Sequence, residues 1–248
     1  MLRTIKITIE YDGTNFSGWQ MQAKRFRTVQ GEIEASFTKI FKKRVPILGS
    51  GRTDSGVHAL GQVAHFRISS PMPLEKLHKA LNGTLPADIV ITKIEEVDKD
   101  FHAQYSVKEK TYRYTILNRE VRSSVNRNIC LLFPYDLNVA LMRSEAKCLV
   151  GKQDFKSFQN SDVNRKDEST VRTVKALTIK KTGDIITIDI TANGFLYKMV
   201  RNIVGTLLAV GTGKLPKGSV KRILTQKDRT MAPETAKPQG LCLVSVKY

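Results

Sequence analysis

The apolar residues of this 248-residue chain switch repeatedly between a period of two and a period near 3.6, which restricts the fold to a mixture of strands and helices. Ile5, Ile7 and Ile9 alternate with polar residues and predict a strand at 5–10. Val29, Ile33, Phe37, Ile40 and Phe41 share one helical face and predict a helix over 28–42, with Thr28 as its N-cap. A strand at 62–68 follows, with Ala64, Phe66 and Ile68 on one face and Val63, His65 and Arg67 on the other. Next come a short helix at 74–81 and, after the turn Leu85-Pro86-Ala87-Asp88, a strand at 89–97. The second half reads as a strand at 110–117 with Tyr112 and Tyr114 on one face, a helix at 138–150, a polar loop at 159–170, and strands at 173–180 and 185–192. A helix at 195–210, a Pro- and Thr-containing loop at 229–239 and a last strand at 241–248 complete it. Ile7-Thr8-Ile9-Glu10 and Ile186-Thr187-Ile188-Asp189, each leading to a helix, read as two copies of one α/β half.

Between the strand-like segments at 45–48 and 62–68 lies Gly49-Ser50-Gly51-Arg52-Thr53-Asp54-Ser55-Gly56-Val57-His58. In extended backbone, residues two apart point the same way, so Arg52 and Asp54 share a face and Thr53 points away. The glycines allow a close approach of backbone to ligand. An arginine beside an aspartate favours the ionised carboxylate, so Asp54 is expected to be a nucleophile or charge stabiliser rather than a proton donor. A plainer reading makes Asp54 a turn residue, since Asp, Ser and Gly are common turn formers. The loop alone leaves both open.

Sharper motifs fit less well. No Lys-Ser or Lys-Thr follows the glycines, which argues against a phosphate-binding loop. Gly49 and Gly51 open a G-x-G, but Asp54 stands where a dinucleotide-binding loop has its third glycine and would repel a pyrophosphate. Asp54-Ser55-Gly56 resembles the signature of aspartic proteases, which need two such carboxylates; the chain has one copy, preceded by polar residues.

Charge narrows the partner. The chain carries 41 Lys and Arg against 23 Asp and Glu, a net charge of +18. The clusters are dispersed: Lys24, Arg25 and Arg27; Lys39, Lys42, Lys43 and Arg44; Lys108, Lys110 and Arg113; Lys214, Lys217, Lys221 and Arg222. That spread suits a large folded nucleic acid, where each phosphate contact adds counterion release, better than a small anion. No basic amphipathic helix or lipidation signal points to a membrane surface. Cys130, Cys148 and Cys242 are too few and too scattered for a disulfide framework or a zinc motif, and a reducing cytoplasm fits them. The chain enters its first strand without a signal peptide, and no apolar run is long enough to cross a bilayer. His58, His65, His78 and His102 give no ligand pair and read as structural or RNA-facing.

The helix at 195–210 carries Leu196, Met199, Val200, Ile203, Val204, Leu207 and Leu208, a stripe broad enough to imply deep burial. Lys198, Arg201 and Asn202 form another face. A guanidinium beside a core helix needs a partner, so Arg201 is expected to meet a carboxylate, with Asp54 the candidate; a solvated helix face is the plainer alternative.

Four motifs in order carry a resemblance: Tyr11-Asp12-Gly13-Thr14-x-Phe16-x-Gly18-Trp19-Gln20, Gly51-Arg52-Thr53-Asp54-x-Gly56-Val57-His58-Ala59, Lys110-Thr111-Tyr112-Arg113-Tyr114 and Met199-Val200-Arg201-Asn202-Ile203-Val204-Gly205. Together they resemble the tRNA pseudouridine synthase A family over the whole chain. The resemblance implies an α/β (α+β) fold of two pseudo-symmetric halves, 1–106 and 107–248, each a mostly antiparallel sheet backed by helices, around a central basic cleft. It implies a homodimer whose tRNA touches both subunits, no cofactor or metal, and isomerisation of uridine in the anticodon stem and loop, at tRNA positions 38, 39 and 40. On the matching positions the resemblance implies that Asp54 is the nucleophile, that Tyr112 stacks on the target base, that Arg201 supports Asp54, and that Arg52 fills space or contacts phosphate when the uridine leaves its stack. Leu241 is expected to wall the pocket. Two positions depart from the family: Ser55 stands where Ala is usual and Gln104 where Arg is common, and the second removes one expected RNA contact.

Overall fold

A computed structural model describes residues 2–22, 26–161 and 169–248. Lys24, Arg25 and the 162–168 part of the polar loop lie outside the described residues. The chain forms two compact units, Met1–Lys108 with Cys242–Tyr248, and Glu109–Leu241.

In the first unit, β1 (Arg3–Tyr11) leads to α1 (Val29–Phe41), β2 (Leu48–Gly49), β3 (His58–Ile68), α2 (Leu74–Thr84) and β4 (Ile89–Val97). β1 is the middle strand, antiparallel to β3 with Ile5 opposite Phe66 and to β4 with Ile5 opposite Glu96. Thr28 caps α1 as its sequence implies, its Oγ1 accepting from the Gly31 N–H at 3.2 Å. The buried face of α1 reaches the sheet through Phe37, whose ring lies 4.4 Å from that of Phe66. On α2, Asn82 accepts from the Ile91 N–H at 2.8 Å and donates to the Ile91 carbonyl at 3.0 Å, locking the helix to β4. β3 begins at His58 rather than at 62, because its first residues are already paired with β1, Ala59 opposite Tyr11.

In the second unit, β5 (Glu109–Leu117), β6 (Leu131–Leu132), α3 (Val139–Ala146), β7 (Gly151–Asp154), β8 (Val171–Thr182), β9 (Ile185–Ala192), α4 (Met199–Gly211) and α5 (Ser219–Gln226) follow in order. β9 is the middle strand, antiparallel to β5 with Ile190 opposite Tyr112 and to β8 with Ile188 opposite Ile179. Each unit is thus built on a strand with antiparallel neighbours on both sides, and each such strand runs on to a helix. This is a mixed α/β fold with mostly antiparallel pairing and two related halves.

Three helix bounds differ from the sequence reading, and the first is α2, which runs past 81 to Thr84. α3 ends at Ala146, and 147–149 tighten into a 3₁₀ turn. α4 begins at Met199 rather than at 195, because Lys198 takes φ 58° and a right-handed helix does not pass through left-handed backbone. Leu196 stays buried in the turn before it. From Met199 to Val210 the stripe is interior as expected, with Met199, Ile203, Val204 and Leu207 fully buried. A side chain at Gly205 would meet the Glu234 carbonyl oxygen at 2.1 Å, so the 229–239 loop lies directly on the helix backbone.

The last strand, β10 (Leu241–Lys247), runs parallel to β3 with Cys242 opposite His58, so 242–248 pack with the first unit. Among the described residues, no helix is long and apolar enough to cross a membrane.

Candidate active site

The loop bearing Asp54 is gripped by the 11–19 stretch. The Tyr11 hydroxyl and Thr53 Oγ1 share a buried hydrogen bond of 2.8 Å. Burial pushes the Tyr11 phenol well above its ordinary range, so it stays protonated. The Trp19 N–H donates to the Thr53 carbonyl at 3.1 Å, and the Gly56 N–H donates to the Phe16 carbonyl at 3.3 Å. Two glycines make this approach possible. A Cβ on Gly13 would lie 2.0 Å from the Val57 carbonyl oxygen, and one on Gly18, at φ +96°, would lie 2.6 Å from that of Thr53. From the other side, fully buried Gln62 accepts from Ser50 Oγ at 2.7 Å and donates to the Gly51 carbonyl at 3.0 Å. The turn then closes through the Val57 N–H onto the Asp54 carbonyl at 3.2 Å, with Gly56 at φ +75°.

This grip sorts the side chains. Thr53 is buried, Arg52 is exposed and Asp54 is half-buried, the order that extended backbone gives to neighbouring residues. Arg52 Nε donates to Gln20 Oε1 at 3.2 Å, and Gln20 Nε2 donates to Gln30 Oε1 on α1 at 2.8 Å. Gln30 Nε2 donates in turn to buried Glu34 at 2.9 Å, so the arginine is tied to a polar chain rooted in the helix. Ser55 Oγ donates to the Phe16 carbonyl at 3.1 Å, which gives the hydroxyl absent from the usual alanine a backbone partner.

The histidines have local partners. His58 Nδ1 lies 3.1 Å from both the Gly13 N–H and Asp12 Oδ1, and His78 Nε2 lies 2.6 Å from the Ile91 carbonyl. His65 Nδ1 accepts from the Ala103 N–H at 3.2 Å. His102 Nδ1 accepts from the Gln104 and Tyr105 N–H groups at 3.2 Å each.

In the second unit, Tyr112 and Tyr114 sit on one face of β5, as the alternation implies. Tyr112 is 9 % exposed, and its ring meets that of Phe195 edge-on at 5.0 Å. Tyr114 is fully buried and donates to the Lys237 carbonyl at 2.6 Å. Burial raises its phenol pKa, and the positive charge of Arg201 pulls the other way, which puts the guanidinium near this strand. Arg201 Nε donates to the Ala236 carbonyl at 2.8 Å. Its neighbour Asn202, fully buried, donates to the Phe158 carbonyl at 2.7 Å and to Asn160 Oδ1 at 2.8 Å. Asn202 Oδ1 accepts from Arg229 at 3.1 Å and from Thr235 Oγ1 at 2.7 Å, which satisfies every hydrogen-bonding position of the amide. Arg52 and Asp54 therefore share one loop of the first unit, while Tyr112 and Arg201 belong to the second. Sequence reasoning placed Asn202 on a polar face and gave Arg229 and Thr235 no role. The available signal was Gly205, a glycine inside an apolar helix stripe, which marks close backbone approach.

The sequence profile of a family described as tRNA pseudouridine synthase matches residues 7–106 and 146–248. A protein of Thermoanaerobacter sp. (strain X514) named tRNA pseudouridine synthase A is 48 % identical over 247 residues, covering all of both chains. Proteins of the same name from Caldicellulosiruptor bescii and Limosilactobacillus reuteri are 45 % and 48 % identical, the first covering both chains fully and the second 98 % of this chain and 96 % of its own. The chain belongs to the tRNA pseudouridine synthase A family. Among solved structures, a chain titled as part of a Cbf5-Nop10-Gar1 complex aligns with 12 % identity and a TM-score of 0.33 over 82 % of this chain and 54 % of that one, too remote to bear on the fold.

Proposed function

We propose that this chain isomerises uridine to pseudouridine in the anticodon stem and loop of tRNA, at positions 38, 39 and 40, with Asp54 as the nucleophile. The full-length match to relatives named tRNA pseudouridine synthase A carries this reading. The reaction breaks the bond from ribose C1′ to N1, turns the base and joins C1′ to C5; C5 gives up a proton and N1 gains one. Atoms and electrons balance without an oxidant or reductant, so one carboxylate in a well-held loop suits the task. The backbone bonds from Trp19 and Gly56 would hold that carboxylate in place through the turnover.

Chemistry on a base requires the nucleotide to leave its stack. Exposed Arg52, tethered by Gln20, would meet the RNA as the uridine swings out. Tyr112 would stack on the target base, and Arg201 would support Asp54; both roles rest on the family motifs. The net charge of +18 suits a substrate of tRNA size. A homodimer whose tRNA touches both subunits, working in the cytoplasm, completes the proposal.

The test is tritium release from tRNA transcripts labelled at uridine C5. Release of label to water, confined to substitutable positions in the anticodon arm, is the expected result. Salt-sensitive tRNA binding without any release would replace this reading with a basic RNA-binding protein that catalyses nothing.

A further inference from the structure

In the first unit, the turn 102–106 holds an aromatic ring out to solvent. Tyr105 is 80 % exposed although its backbone is firmly fixed. The His102 N–H donates to Ser106 Oγ at 3.2 Å, and the Ser106 N–H returns to the His102 carbonyl at 3.0 Å. The Gln104 and Tyr105 N–H groups both point at His102 Nδ1. The Tyr105 ring lies on the His102 ring, centroids 4.3 Å apart at 26°. Behind it, His102 abuts His65 at 5.0 Å, and Phe101 packs on Tyr248 at 4.9 Å. One face of the phenol ring is therefore backed, and little side-chain freedom remains to be lost on binding.

We propose that Tyr105 is a stacking platform for an unpaired base of the bound tRNA, away from the base that reacts. The proposal rests on the reading that this chain binds tRNA. A flat aromatic ring, pre-ordered and exposed, accepts any base face without regard to sequence. The surroundings favour a nucleic acid over a second copy of the chain. Gln104, Ser106, Lys99, Arg67 and Lys108 are all exposed and polar or basic, against Asp98 and Asp100 on the preceding turn. A self-association surface would need a contiguous apolar core around the ring.

The experiment measures affinity for an anticodon-arm tRNA transcript across a salt series, for the wild type and for Tyr105→Ala, Tyr105→Phe and Tyr105→Trp. Tyr105→Ala is expected to bind roughly 5- to 100-fold more weakly with an unchanged salt slope, and the Phe and Trp variants to bind near the wild-type level. Urea midpoints should match across the set because the ring is exposed. Wild-type affinity in Tyr105→Ala overturns the proposal, and loss of self-association with unchanged RNA affinity overturns it in favour of a second copy. A wild type that binds no tRNA overturns the underlying reading as well, and so is distinguishable.

Discussion

Arg201 and Ala236 hold each other twice. The guanidinium Nε donates to the Ala236 carbonyl at 2.8 Å, and the Ala236 N–H donates to the Arg201 carbonyl at 3.2 Å. The arginine is thereby fixed to a loop rather than only to its own helix, and the position of its charge depends on how that loop is seated. Gly205 and Asn202 seat it, one by letting the Glu234 carbonyl touch the helix backbone and the other by binding Thr235 and Arg229.

Asn202→Ala should therefore be among the more damaging substitutions in α4. It leaves the buried Phe158 carbonyl and the half-buried Asn160, Arg229 and Thr235 each short of a partner. A loss of about 2–4 kcal/mol is expected, read from the shift of the urea midpoint at constant m-value.

The glycine grip on the Asp54 loop gives a second prediction. Gly18→Ala forces a β-carbon onto the Thr53 carbonyl at a backbone angle of +96° and should lower stability by about 1–3 kcal/mol. Thr53 precedes Asp54, so turnover should fall further than stability accounts for, by roughly 100-fold for a 1 Å displacement. Gly83→Ala is the contrast. Nothing lies within 4 Å of the added carbon on α2, and the change should raise stability by up to about 1 kcal/mol without altering turnover.

His65 sets the expected response to acid. Burial, with the nearby His102 and Arg67 charges adding to it, lowers its pKa from the ordinary 6.5 to about 4. Phe101 also faces the ring. Between pH 6.5 and pH 4 the unfolded chain binds a proton here that the folded chain refuses. The contribution is therefore fully present above pH 6.5 and is lost as the pH falls towards 4. The urea midpoint of the wild type should drop more steeply over that window than that of His65→Gln. Parallel curves would assign the acid response to other groups.

Local pattern made much of this molecule legible, and the misses share a cause. β9 keeps the bounds 185–192 because period two persists to its ends, and β4 keeps 89–97 although its pairing with β1 slips by one residue at Thr92. Lys198 gave no warning of its left-handed backbone, since Phe195 and Leu196 continue the apolar stripe across the break. The 11–19 stretch reads as turn-rich because its task, gripping 51–58, exists only once β1 and β3 are paired. Asp54 stood out through a two-residue spacing to Arg52. Asn202 did not, because its partners lie 27 to 44 positions away.

Asp54→Asn isolates the carboxylate, keeping its size while removing its charge. With tRNA labelled at uridine C5, under single-turnover conditions, the variant should bind the transcript within a few-fold of the wild type and release no tritium above background. Tritium release at the wild-type rate from Asp54→Asn would leave the carboxylate without a catalytic role.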